Sequence, residues 1–188
     1  MTPAEIKEHI LGEWISIAFE IRPSSLKNED GSLKPFYLKR KFSYLANDKF
    51  ELEIINSADP YGETPLSKIE LKGHMVWQGE HPIAAGAQKV KFIADEGYQV
   101  TALNQPFADL LNKIALNGYE HWEVNKTQDI LKKTFAPFGL AEGQVFAEYD
   151  LIYPLDNLLF WGARNVDGRG FDTEENRPSN LQIPLIRN

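Results

Sequence analysis

The sequence contains no cysteine. Disulfide bonds, thiol nucleophiles and thiolate metal ligands are therefore excluded together. Long apolar runs are also missing, because no stretch approaches the ~20 residues that a membrane-spanning helix needs. The first residues carry Glu5 and Glu8 where a secretory leader would be continuously apolar, so we expect no signal peptide. A chain with neither cysteine nor leader is expected to be cytoplasmic.

Positive charge is scarce. The formal net charge is −7 and the pI is about 5.2, whereas nucleic-acid binding needs a concentrated basic patch. The densest basic run, Lys39–Lys41, lies in a strand pattern whose side chains alternate in direction, so we expect no nucleic-acid partner. The glycines of Gly162–Gly170 lack the lysine and hydroxyl residue of a phosphate loop. No two histidines have the helical spacing of a zinc site, and we expect neither metal nor cofactor; the histidines are His9, His74, His81 and His121.

What the sequence does contain is a globular composition. Its 188 residues are 43% hydrophobic and 25% charged, which predicts one folded domain over 1–188. From about residue 14 to 103, apolar and polar residues alternate with the period of two that is typical of strands. Strands are predicted at Trp14–Arg22, Phe36–Tyr44, Phe50–Ile54, Lys68–Gln78, Gln88–Ala94, Gly97–Leu103, Gln144–Ile152, Asn157–Arg164 and Leu181–Ile186.

Two helices and one tight turn complete the predicted elements. Thr2-Pro3-Ala4-Glu5 is typical of a capping box, and it predicts a short N-terminal helix that ends at Gly12. A second helix is predicted near 105–117, capped by Asn104 and ended by Asn117-Gly118. Asn47-Asp48 predicts a hairpin turn. Many strands in hairpin succession with few helices indicate a mainly β protein, a single antiparallel barrel, because closing a sheet removes its edges.

Charged residues interrupt two of the alternating apolar faces. Arg40 shares a face with Phe36, Leu38, Phe42 and Tyr44, and Glu20 and Arg22 share one with Trp14 and Ala18. Burying an unpaired ion costs several kcal/mol or more, so such groups are paired, hydrated or bound to a ligand. Three interpretations remain open: a buried Glu20–Arg40 or Glu20–Arg22 ion pair, the floor of a binding site, or a solvent-exposed face.

Three motifs occur in order along the chain. They are GEWIS and EIRP between Gly12 and Pro23, FYLKRKF from Phe36 to Phe42, and LFWG (Leu159–Gly162) followed by RPSNLQIPL (Arg177–Leu185). Together they resemble the opening, second-strand and closing motifs of the adenomatosis polyposis coli down-regulated (APCDD-type) domain. The resemblance implies a lipocalin-like (calycin) barrel with a hydrophobic cavity.

The animal members of that family are extracellular Wnt antagonists thought to hold the lipid carried by Wnt. We expect one copy of the domain in this chain where they have tandem copies, and no secretion signal or membrane anchor, and the sequence has no cysteine. We therefore expect the barrel and its capacity for a long apolar guest to carry over, and not Wnt antagonism. Lipocalin-like barrels also often carry Gly-x-Trp on the first strand, with a late arginine across the indole. Trp14 is that tryptophan, and Arg164 is the preferred partner, with Arg187 second.

These observations lead to three hypotheses. The first is a module that binds a hydrophobic small molecule, such as a lipid, an isoprenoid or a polyketide-like compound. The second is an isomerase, cyclase or lyase with Glu20 as general acid or base, His74 as second proton donor and Arg40 as oxyanion stabiliser. The third is a barrel packed solid for a structural or interaction role. Oligomeric state cannot be predicted. The predicted ligand-binding residues are Glu20, Arg22, Phe36, Leu38, Arg40, Phe42, Tyr44, Trp77 and Tyr98, with Phe50 and Leu52 beside them. The stretch Asp167–Asn176 is either a lid or a plain surface loop.

Overall fold

Alternation of apolar and polar residues builds a single antiparallel sheet. The computed structural model describes the backbone of residues 1–114 and 118–188, and their side chains apart from those of 23–26. Within these residues, ten strands pair in antiparallel fashion. The strands are β1 (Gly12–Ser16), β2 (Glu20–Lys27), β3 (Leu33–Leu45), β4 (Lys49–Ser57), β5 (Pro65–Glu80), β6 (Gln88–Ala102), β7 (Thr127–Asp129), β8 (Phe146–Leu155), β9 (Leu158–Trp161) and β10 (Leu185–Arg187).

The sheet closes on itself through β1. Its strand order is β1-β10-β9-β8-β6-β5-β4-β3-β2, and β1 also pairs with β3. Trp14 therefore lies opposite Arg187 on one side and opposite Phe42 on the other. The result is a closed ring of hydrogen-bonded strands, with β2 continuing along β3 and β7 pairing with the far end of β6. The prediction of a mainly β, antiparallel fold is confirmed.

Two strand predictions need correction. The strand predicted from Trp14 to Arg22 is interrupted at residues 17–19, and its halves, β1 and β2, each pair with β3. The strands predicted at Gln88–Ala94 and Gly97–Leu103 are one strand, β6, which continues through Asp95 and Glu96. Between the paired positions Lys72–Gly97 and His74–Ile93, β6 contains two more residues than β5, and the register of the two strands shifts there. Such irregularities bend a strand without ending it.

The predicted hairpin turn is confirmed. Asn47 and Asp48 join β3 to β4 with φ angles of 62° and 58°. The connection from Leu45 to Lys49 is three residues long, and its last two residues are left-handed, a conformation that asparagine and aspartate tolerate better than most residues.

Both predicted helices are present. Helix α1 (Pro3–His9) has the predicted capping box between Thr2 and Glu5. Helix α2 (Gln105–Lys113) begins at the predicted cap, where Asn104 Oδ1 accepts a hydrogen bond of 2.9 Å from the Phe107 amide. Its predicted end at Asn117 lies outside the described residues. A single 3₁₀ turn lies at Ala136–Phe138. Among the helices that the structure describes, none is long and apolar enough to cross a bilayer.

One end of the ring interior is filled by aromatic side chains. We call this group the aromatic core cluster. The centroids of Phe42 and Trp161 lie 3.9 Å apart, and Trp161 stacks on Phe92 at 4.7 Å. Ile6 and Ile10 are buried over the same end, so α1 closes it. The members of the cluster are Phe42, Tyr44, Phe50, Phe92 and Trp161.

Candidate ligand-binding site

The other end of the ring interior is hollow. It holds a cavity of about 660 Å³, walled by β3, β4, β5, β6 and β8 and by two loop segments near 137–144 and 168–172. Volumes of several hundred cubic ångströms are typical of small-molecule sites. Most of the wall is apolar, with Phe36, Leu38, Leu52, Ile54, Ile69, Leu71, Tyr98 and Phe146 contributing.

A buried ion network lies at the base of this cavity. Glu20 accepts hydrogen bonds of 2.8 and 3.0 Å from Arg40 and a third, of 2.9 Å, from Arg22. The Ser16 hydroxyl donates to Glu20 at 3.0 Å, and Arg22 also donates to Gln182 at 2.6 Å. The structure thus contains both of the ion pairs that were considered from the sequence. Each oxygen of Glu20 is fully engaged, which is what makes a buried carboxylate tolerable.

The two arginines of this network line the cavity, whereas Glu20 does not. Glu20 is 3% exposed and lies behind the guanidinium groups of Arg22 and Arg40. Burial, with the nearby Arg40 charge, lowers the pKa of Arg22 to about 10, so Arg22 is still a cation at neutral pH. The ion-pair and binding-site interpretations are therefore compatible, because the same guanidinium groups pair with Glu20 and line the cavity.

Arg40 marks the boundary between the packed and hollow ends. Its guanidinium carbon lies 4.6 Å from the centroid of Trp161, which belongs to the aromatic core cluster. Nε and Nη2 are used by Glu20, while Nη1 has no hydrogen-bond partner among the described residues. A cation stacked on an indole keeps a fixed plane. The unused N–H groups of Arg40 are consequently held in place beside the cavity.

Two carboxyl groups on β8 were missed by the sequence analysis. Asp150 is buried, and its Oδ1 accepts hydrogen bonds from the amides of Leu151 (2.7 Å) and Gly162 (2.9 Å). Burial raises the pKa of Asp150 to about 7. Asp150 also lines the cavity.

Glu148 is half-buried and lines the cavity. It makes no hydrogen bond or ion pair with any other described residue. Burial raises its pKa, and the charges of Arg164, Arg22 and Arg40 oppose that rise. A signal for this residue existed in the sequence, because Glu148 alternates with Phe146 in a predicted strand, as Arg40 alternates with Leu38 and Phe42.

The stretch Asp167–Asn176, predicted as a lid or a surface loop, runs along the cavity. Phe171 O accepts a hydrogen bond of 2.6 Å from the Tyr149 amide, which docks the loop on the edge of β8. Arg164 Nη2 donates to Gly168 O at 3.0 Å. Gly168, Gly170 and Phe171 all contribute to the cavity wall. This loop is thus part of the cavity rather than surface alone.

Besides Glu20, five predicted ligand or catalytic residues lie away from the cavity. Phe42, Tyr44 and Phe50 are in the aromatic core cluster. Trp77 lies at the opposite end of the ring, in a groove of about 310 Å³ beside α1, where its Nε1 donates to Asp48 at 3.0 Å. His74 is on the outer face of β5, 3.1 Å from Asp95. The predicted catalytic set of Glu20, Arg40 and His74 is therefore not brought together.

The arginine that stacks on Trp14 is not the one that the sequence analysis preferred. The guanidinium carbon of Arg187 lies 4.5 Å from the Trp14 ring centroid, because β1 and β10 place these two residues directly opposite each other. Arg187 was the second candidate. Arg164, the preferred one, lines the cavity instead. The sequence places Arg164 at the end of a predicted strand, but β9 ends earlier, at Trp161.

Across the residues that the structure describes, no group of three His, Asp or Glu side chains lies close enough to hold a metal ion. In a comparison of the chain with models of known protein families, none matches. The APCDD-type resemblance therefore stays a prediction from the motifs.

Proposed function

We propose that the ring of strands is a lipocalin-like barrel, of the kind that the APCDD-type resemblance implies, and that its cavity binds a hydrophobic small molecule. The observation that carries this proposal is the cavity of about 660 Å³, whose wall combines apolar side chains with the guanidinium groups of Arg22, Arg40 and Arg164. The apolar wall receives the chain or ring system of the guest, and the arginines receive its polar end.

The energetics favour a guest with a long apolar part. Each buried CH₂ group contributes about 0.8 kcal/mol. Polar groups inside such a cavity fix orientation more than they add affinity. Here Arg40 and Arg22 are held by Glu20, so their positions do not depend on the guest. A site organised before binding loses less conformational freedom when the guest arrives.

Thermal unfolding with a panel of fatty acids and isoprenoids tests the proposal. A guest present at 100 times its Kd stabilises the folded state by about 2.7 kcal/mol, which raises the Tm of a chain of this size by roughly 5–10 °C. Mass spectrometry of the recovered guest shows whether it is released unchanged, as expected for a binding module. If no member of the panel raises the Tm and no apolar compound co-purifies, the proposal is wrong.

A pair of tryptophan substitutions on β5 separates cavity binding from adhesion to the surface. Leu71→Trp places extra volume in the cavity wall, whereas Val76→Trp adds the same side chain to the outer face. We expect Leu71→Trp to abolish the ligand-induced rise in Tm and Val76→Trp to leave it intact. Since overfilling an interior destabilises by about 1–3 kcal/mol, the Tm of each variant without ligand is the reference.

A further inference from the structure

The polar wall of the cavity carries more positive than negative charge. Arg22, Arg40 and Arg164 contribute three guanidinium groups, and Glu20 neutralises one charge while using both of its oxygens. Asp172 is also in the wall, and a hydrogen bond from Asn176 lowers its pKa, so it is a second carboxylate. Asp150 and Glu148 are the carboxyl groups that remain on β8, and burial opposes the ionisation of both. While Asp150 and Glu148 are protonated, three guanidinium groups are balanced by two carboxylates, and an anionic group entering this space meets a net positive wall.

Glu148 and the arginines face each other without contact. No oxygen of Glu148 lies within ion-pair distance of a described guanidinium group, although the charges of Arg164, Arg22 and Arg40 all act on it. All four side chains line the same cavity. Guanidinium groups can only donate hydrogen bonds, and a carboxyl group can accept or donate according to its protonation. A group that bridges this gap has to accept from arginine and share a proton with Glu148.

We propose that the guest is an amphipathic carboxylic acid, and that it binds together with one proton that its head group shares with Glu148. This inference rests on the proposed binding function and specifies the head group. One oxygen of the guest accepts N–H groups from the arginines. The proton lies between its other oxygen and Glu148, so two carboxyl groups occupy one site with a single negative charge. Like charges that approach closely retain a proton between them in this way.

Charged groups on several elements influence the protonation of Glu148. The arginines favour its ionised form, whereas burial and the neighbouring Asp150 favour its protonated form. Glu20 lies behind the arginines and is already paired. The remaining charged or titratable neighbours in the cavity wall are Arg22 on β2, Arg40 on β3, Tyr98 on β6, Asp150 on β8, and Arg164 and Asp172 on the loop.

Four compounds with one chain and different head groups test the head-group specificity. They are dodecanoic acid, methyl dodecanoate, dodecanol and dodecylamine, each titrated at pH 7 by calorimetry. We expect the acid to bind at least tenfold more tightly than the ester and the alcohol, and the amine to bind most weakly. Equal affinity for all four would overturn this inference and leave the proposed binding of apolar guests standing. If none of the four binds while an isoprenoid of the panel raises the Tm, this inference alone is overturned.

The shared proton is tested by pH and by substitution. Measured from pH 6 to 9, the affinity of the wild-type protein for dodecanoic acid should fall as the pH rises, because an ionised Glu148 has to take up the shared proton from solution. Calorimetry in buffers of different ionisation heat should register that uptake. In Glu148→Gln the amide replaces the protonated acid, so we expect the fall in affinity to shrink to the part that the ionisation of Asp150 causes, and the proton uptake to decrease with it.

Glu142→Gln is the matched control, since Glu142 is an exposed carboxylate on the neighbouring loop. It should keep the wild-type pH dependence. If the wild-type affinity is flat from pH 6 to 9, or if Glu148→Gln falls with pH as the wild type does, Glu148 does not share the proton. Circular dichroism of both variants verifies that they are folded.

Discussion

Along β3, Phe42 faces a packed interior, whereas Phe36, on the same face six residues earlier, faces a hollow one. Both ends of the ring are built from alternating strands, so the strand pattern does not make the difference. The packed end is filled by five aromatic rings and closed by α1. The hollow end has loops in place of a helix, and charged groups occupy its base. Filling one end stabilises the fold, and leaving the other unfilled creates the cavity.

The largest expected effect compares one substitution at the two ends. Phe42→Ala removes a fully buried ring from the aromatic core cluster and should lower the free energy of unfolding by about 4 kcal/mol. Phe36→Ala only enlarges a cavity that already exists, so its loss should be about 1 kcal/mol. Urea unfolding of both variants gives the comparison. Equal losses would show that the cavity end is packed in solution.

The second prediction concerns Asp150, beside the cavity. Its pKa of about 7 in the folded protein lies above the 3.8 expected when unfolded, so the folded state binds the proton more tightly. This contribution is complete below about pH 4 and is lost as the pH rises through 7. The control is Asp150→Asn, whose amide oxygen can still accept hydrogen bonds from the two backbone N–H groups. As the pH rises from 4 to 8, the free energy of unfolding of the wild type should fall relative to that of Asp150→Asn, by at most about 4 kcal/mol.

Unfolding by urea at a series of pH values from 4 to 8 measures this difference. Both proteins retain Glu148, so its titration is largely common to the two curves. A wild-type stability that stays parallel to that of Asp150→Asn across the range would contradict the prediction.

The third prediction concerns Glu20, at the boundary between the two ends. Glu20→Gln leaves two guanidinium groups, each less than a tenth exposed, without their shared counter-charge. We expect a loss of about 3 kcal/mol in the free energy of unfolding. Glu13→Gln is the control, because Glu13 forms a surface pair with Lys41, and such pairs contribute about 0–1 kcal/mol. Similar losses in the two variants would mean that water hydrates the network.

The smallest expected effect concerns Arg187 and Arg164, the two arginines that were considered as cation–π partners of Trp14. Arg187→Met removes a cation from the indole and two hydrogen bonds, to Leu11 O and His9 O, and should cost about 1–2 kcal/mol. Arg164→Met should change stability by less than about 0.5 kcal/mol, and weaken binding of dodecanoic acid instead. Thermal unfolding and calorimetry on both variants test this division, and the opposite pattern would contradict it.

The sequence could predict what depends on neighbouring residues. The capping box of α1, the cap at Asn104 and the Asn47-Asp48 turn are local, and each is found where it was predicted. Alternation also indicated which face of β3 points inward. It placed Arg40 among apolar residues, and the structure pairs Arg40 with a buried carboxylate there.

What could not be predicted depends on register between distant strands. Trp77 is on the same face of β5 as the inward-pointing residues, but it lies so far along the strand that it contacts α1 beyond the packed end of the ring. Arg187 contacts Trp14 because β1 and β10 are paired, although the two residues are 173 positions apart in the sequence. The importance of Glu148 arises from its distance to three arginines on other elements, which no spacing in the sequence specifies. The period of the sequence predicts whether a side chain points into the ring, but only the pairing of the strands determines how far along the ring it lies.

The order of side chains along β3 also determines how a guest has to lie. Moving away from the closed end, Phe42 is followed by Arg40, Leu38 and Phe36. Arg40 is thus the deepest of the three β3 side chains that line the cavity. In the proposed complex, a guest whose head group reaches Arg40 therefore lies with its tail towards Phe36. Compounds that differ only in tail length would share the contact with Arg40 and differ in the number of CH₂ groups that the apolar wall buries. The head group would then set the orientation of the guest, and the tail would set its affinity.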